Sequence, residues 1–327
     1  MLQRSWVANQ SPSYLSILPF SPSIDERRIP LRQGEGTNSD FNLIEANLNL
    51  SFPLFFGKND SWDVNKRQMI TFDYNGTFRM TLDDSKPIIP SSHKVGISWY
   101  FSLYNNYTGW IWKNNDSFEK INSKDTNIHF LNHLVRLHHY SNGQAPGFFF
   151  IPDENIPQVR RNSYLDGDFS TNYIYNEITY GRYNKEASSL HQFSLGYRRD
   201  LGTEESVLAF SEQQEKSYGK DRLLFKYDYR KAMPKSRLAL HLRTELVYIL
   251  GNLDSFLSNI NDDGGSKYRM GIKGLFELSP DNHRTVGYFV SIFYGRDYLN
   301  IRYDDIIYST QFGITLSLDK FFMPTLN

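Results

Sequence analysis

From residue 42 onward the chain repeats a pattern that few folds can use. In 42–56, Ile44, Ala46, Leu48, Leu50 and Phe52 alternate with Glu45, Asn47, Asn49 and Ser51. In 68–82, Ile70, Phe72, Tyr74 and Phe78 alternate with Thr71, Asp73, Asn75 and Arg79. In 94–104, Val95, Ile97, Trp99 and Phe101 alternate with Gly96, Ser98, Tyr100 and Ser102. Successive side chains of a strand point to opposite faces, so each segment carries one apolar and one polar face. Eight similar segments follow near 128–141, 172–183, 191–200, 220–230, 237–250, 267–278, 285–294 and 308–322.

These segments are long. A tilted strand needs about 9–11 residues to cross a bilayer, whereas strands of soluble sandwiches more often run to about 5–6. The expected fold is all-β: a single closed antiparallel transmembrane β-barrel of about 12 strands over 41–327. Residues 1–40, rich in Ser, Pro, Asn and Gly, read as an irregular N-terminal arm. Two connections are unusually long, 105–127 and 142–171, and loops beyond about 12–15 residues usually serve function or are disordered.

Composition narrows the setting. Aromatic residues make up 16% of the chain, 24 of them Phe and 22 Tyr, which suits either a large β core or aromatic girdles at two membrane interfaces. The charges balance at 36 basic and 36 acidic, giving no pull toward nucleic acid. With no cysteine, disulfides and thiolate metal sites are excluded. No apolar run reaches the length of a transmembrane helix, and no signal peptide is visible at the start, so export would imply a mature or trimmed chain.

The stretch His138-His139-Tyr140-Ser141-Asn142-Gly143 ends the fourth of these segments. Strand phase divides it. Arg136, His138 and Tyr140 fall on the polar, lumen side, while Leu131, Val135, Leu137, His139 and Ser141 fall on the lipid side. Residues two apart on one face have Cα atoms roughly 6.5–7 Å apart, a span an imidazole can bridge to a serine hydroxyl. Serine attacks only when a neighbouring base takes its proton, and the base needs a third group to orient it. Asn172, in phase with Ile174, Ile178 and Tyr180, is a candidate orienter from the next segment. The other reading is bland: Ser-Asn-Gly opens turns. A metal cluster of His129, His133, His138 and His139 is disfavoured, because strand residues four apart lie about 13 Å apart.

These residues resemble the outer-membrane phospholipase A family. The signature His-x-Ser-Asn-Gly is matched by His139 to Gly143, and the asparagine opening the next strand by Asn172. The likeness extends over most of the barrel, from "LNLSFPLFFG" through "DSKP" at 84–87 to "YSTQFGITLSLDKFF". The resemblance implies a calcium-dependent, homodimeric acyl hydrolase of the bacterial outer membrane acting on phospholipid. Ser141 would be the nucleophile, His139 the general base and acid, Asn172 the orienter and the Gly143 amide an oxyanion donor. It further implies calcium (Ca2+) held by Asp168, Gln144 and, from the partner subunit's loop, Ser85. Three departures stand out: a longer link between Gly143 and Asp168, a carboxylate where the family has serine, and Tyr74 where members pair through a lipid-facing glutamine. The competing expectations are a non-catalytic barrel, either a porin or a structural or adhesion protein, and a soluble lipid- or glycan-binding β-protein.

Overall fold

The computed structural model describes residues 12–20, 42–56, 68–81, 88–106, 109–110, 126–142, 169–201, 218–233, 235–236, 238–251, 253, 269–280, 286–296, 298 and 306–316. The strands are β1 (Ser13–Phe20), β2 (Asn42–Phe56), β3 (Gln68–Thr81), β4 (Ile88–Asn105), the two-residue β5 (Gly109–Trp110), β6 (Asn127–Ser141) and β7 (Ser170–Asn184). They continue as β8 (Ser189–Leu201), β9 (Asp221–Met233), β10 (Leu238–Ile249), β11 (Met270–Pro280), β12 (Val286–Arg296) and β13 (Ile306–Leu316). Each pairs antiparallel with its neighbours, and β1 pairs with both β2 and β13, so the sheet closes on itself. With β5 only extending the edge of β4, twelve strands form the wall. The expected all-β closed barrel is the observed one.

One expectation is corrected. Residues 13–20, read as part of an irregular arm over 1–40, form the strand that closes the barrel; the rest of that arm lies outside the described residues, apart from Pro12. The alternation that marks the other strands is broken here, because Ser13 and Ser16, three residues apart, are both buried. What defines the strand is backbone bonding to partners about 30 and 300 residues away.

Alternation elsewhere sorts side chains as expected. Leu54, Ile97, Leu137, Phe193, Leu195, Tyr288 and Phe312 are exposed on the outer face, which is where lipid would solvate them. The inside is polar and largely filled. Glu177 bonds Lys226 at 2.7 Å, Asp200 bonds Arg222 at 2.7 Å, and His241 bridges Asp228 at 2.7 Å and Glu277 at 3.1 Å. Glu45, 0% exposed, accepts from Tyr14 at 2.6 Å, Arg79 at 2.6 Å, Tyr298 at 2.7 Å and Gln311 at 2.7 Å. It thereby ties β1, β2, β3 and β13 together across the closing seam. A cavity of about 440 Å³ lies within the wall, lined in part by Arg136, Tyr140, Tyr173, Arg198 and Lys273.

The seam also depends on close backbone approach. A Cβ on Gly313 of β13 would lie 2.1 Å from the Leu15 carbonyl oxygen of β1. Gly313→Ala should therefore push β1 outward and destabilise the barrel by about 1–3 kcal/mol. Urea unfolding of the micelle-bound protein measures this, and an unchanged midpoint would show that the seam can yield.

Candidate active site

His139 and Ser141 sit at the last turn-facing positions of β6, and the structure brings Asn172 beside them. In the β6–β7 ladder His139 is the direct partner of Asn172, and Ser141 of Ser170. Just beyond the strand ends, the Asn142 amide donates to the Phe169 carbonyl at 3.0 Å. That bond makes 142/169 a hydrogen-bonded pair, so by alternation 141/170 and 139/172 are non-hydrogen-bonded pairs, whose Cα atoms approach to about 4.5 Å with side chains close together. His139 Nδ1 and Asn172 Oδ1 are 3.0 Å apart. The amide oxygen can only accept, so Nδ1 carries a proton, and in the neutral ring Nε2 then keeps its lone pair. A neutral histidine in that tautomer is the form that can take a proton from a hydroxyl.

The phase expected from sequence holds in the wall. Leu137 is 58% exposed, while His138 and Tyr140 are 7% and 1% exposed on the inner side. Ile174, Ile178 and Tyr180, in phase with Asn172, are exposed on the outer face. His139, Ser141 and Asn172 therefore share the outer surface of the barrel.

The inner histidine makes a useful contrast. His138 Nε2 lies 3.5 Å from Asp73 and 3.3 Å from Ser98 Oγ, and its Nδ1 lies 3.3 Å from the Tyr173 hydroxyl. Serine and carboxylate crowd the same ring nitrogen. A relay needs them on opposite nitrogens, so this group is part of the packed interior and not a second triad.

Sequence reading missed His93. It pairs with Ser141 from β4, and therefore stands on the same outer face. Its Nδ1 meets the Tyr74 hydroxyl at 2.8 Å and its Nε2 meets Ser91 Oγ at 2.5 Å. Tyr74 reaches it by leaning over Gly76, where a Cβ would lie 2.6 Å from the tyrosine oxygen. Only the ladder register could reveal this, since Tyr74 and His93 belong to different strands from the motif.

Gly143 and the expected calcium ligands Ser85, Gln144 and Asp168 lie outside the described residues. Among the described residues no three His, Asp or Glu side chains are grouped to hold a metal ion. Asn142 and Phe169, the last described residues on either side of the long connection, are bonded to each other.

No family model matches the sequence, and neither does any curated protein. Among solved structures, the Salmonella typhi outer membrane phospholipase, a dimer with bound calcium, matches at TM-score 0.54 and 12% identity, over 94% of this chain and 90% of that one. The Escherichia coli outer membrane phospholipase A matches at TM-score 0.55 and 12% identity over the same shares. This chain has their fold. A further match of equal score is an active-site mutant of the Escherichia coli enzyme in which an asparagine is replaced by alanine. At 12% identity the likeness is one of outer-membrane-type barrel architecture.

Proposed function

We propose that this protein is an outer-membrane phospholipase that hydrolyses acyl esters of membrane phospholipid through Ser141, His139 and Asn172. The observation that carries the reading is the 3.0 Å contact between His139 Nδ1 and Asn172 Oδ1 on the lipid-facing wall, two residues from Ser141. Membrane phospholipid would bring its acyl esters to this face, at the depth where the strands end.

In the first half of the reaction, Ser141 Oγ forms a bond to the acyl carbonyl carbon while His139 Nε2 takes the hydroxyl proton. The carbonyl π pair moves onto oxygen, and the Gly143 amide would donate to that oxyanion. Collapse restores the carbonyl and expels the glycerol oxygen, which receives the proton from His139. Water then repeats the sequence on the acyl-serine and releases fatty acid. Asn172 keeps the imidazole in its useful tautomer without adding a charge.

Calcium, if held at Asp168, Gln144 and a partner's Ser85, would add Lewis-acid stabilisation of the oxyanion. Oxygen-only ligation suits that ion. The clamp between Asn142 and Phe169 supports the pairing of the two loop ends that such a site needs. The similar Salmonella typhi structure is a dimer with bound calcium.

Release of fatty acid from phospholipid in detergent micelles tests the reading. Wild type should release it and Ser141→Ala should not. Chelation should lower the wild-type rate by at least about tenfold, and readdition of calcium should restore it. A rate indifferent to chelator would remove the calcium role and leave the triad standing.

A further inference from the structure

Ser141 has a neighbour that neither the motif nor the triad accounts for. Ser170 opens β7 and is its direct partner across the ladder. The pair is of the non-hydrogen-bonded kind, so the two Cα atoms approach to about 4.5 Å and both side chains point to one face. Ser170 is 6% exposed, and its hydroxyl, buried from solvent, has no hydrogen-bond partner.

A buried hydroxyl without a partner is uncommon, and among the described residues Ser16 Oγ at the barrel seam is another. Strand hydroxyls normally find an acceptor on a neighbouring strand, as nearby ones do here: Thr171 Oγ1 reaches Asp200 at 3.1 Å and Thr179 Oγ1 pairs with Ser194 at 2.7 Å. Leaving the Ser170 hydroxyl unpaired costs stability, and alanine would fit in its place without that cost. The residue is therefore better explained by an acceptor that is absent from the resting protein. The acceptor that arises beside Ser141 is the oxyanion of the tetrahedral intermediate.

We propose that Ser170 is a further catalytic residue, whose Oγ–H donates to the oxyanion formed when Ser141 attacks an acyl ester. The assignment rests on Ser141 being the nucleophile. In the attack the carbonyl π pair becomes the oxyanion lone pair that accepts from Ser170. No proton is transferred to or from Ser170, and on collapse the pair returns to the carbonyl. A donor that waits unpaired has no resting bond to break, so its contribution appears only in the transition state.

The test compares Ser170→Ala, Ser170→Thr and Ser141→Ala in the full-length protein in micelles, by fatty-acid release and by urea unfolding. Ser170→Ala should lower kcat roughly 10²-fold, the usual cost of one oxyanion donor, with KM within about twofold. Its unfolding midpoint should equal or exceed that of wild type, because an unsatisfied group has been removed. Ser170→Thr keeps the hydroxyl in a strand-compatible side chain and should restore most of kcat. Wild-type kcat in Ser170→Ala would overturn the proposal. So would a loss of kcat that follows a lowered unfolding midpoint and is not rescued by threonine. Undiminished hydrolysis by Ser141→Ala would instead bring down the assignment of Ser141 as nucleophile, a failure seen with Ser170 intact.

Discussion

Ser141→Ala should reduce fatty-acid release by at least about 10³-fold, and His139→Ala should do almost the same. The two groups work as a unit: the hydroxyl attacks only as the imidazole takes its proton, so losing either one removes the same step. The double variant should therefore be no worse than either single variant. Asn172→Ala should be milder, about tenfold, because it deletes one neutral hydrogen bond worth about 1–1.5 kcal/mol and leaves both reacting groups in place. Initial rates on micellar phospholipid give all four numbers. Additive losses in the double variant would show that Ser141 and His139 do not share a step. The order Ser141, His139, then Asn172 is the signature of a nucleophile, its base and an orienter.

Glu45→Ala should cost about 3–5 kcal/mol of stability, the largest effect expected of any single substitution away from the site. The carboxylate is fully buried and collects four donors, from Tyr14, Arg79, Tyr298 and Gln311. Removing it takes the Glu45 carboxylate from the 9% exposed Arg79 side chain and from the Tyr14 and Tyr298 hydroxyls, while Gln311 keeps only its bond to the Tyr298 hydroxyl at 2.9 Å. Those donors come from β1, β3, β13 and the segment after β12, so the loss falls on barrel closure. Glu45→Gln keeps an acceptor and should cost less. Urea unfolding in micelles separates the variants, and a Glu45→Ala midpoint equal to wild type would mean that the network adds nothing to closure. Catalysis should survive in whatever fraction remains folded, since Glu45 faces the lumen and Ser141 the lipid.

Most of the wall was legible because a lipid-facing strand must alternate. Eleven of the twelve strands follow that rule closely enough to be placed from residue type alone, and β6 even divides its motif between faces as observed. The strand at 13–20 was not legible. It is short, it lies in a Ser- and Pro-rich stretch, and Ser13 and Ser16 break its period. The site was half legible. His139, Ser141 and Asn172 carry a readable pattern of type and phase, whereas His93 and Ser170 are unremarkable residues in their own strands.

By itself the sequence determined which residues face outward and which face the lumen, since that depends only on the two-residue repeat of an extended chain. It also determined the chemical types available at the end of β6. Only the tertiary structure decided what stands opposite what. Register sets His139 against Asn172, Ser141 between His93 and Ser170, and Glu45 at the seam beside Gln311, 266 residues away. Register is a property of pairs of strands, fixed by backbone bonding and by closure of the ring, and no single strand encodes it.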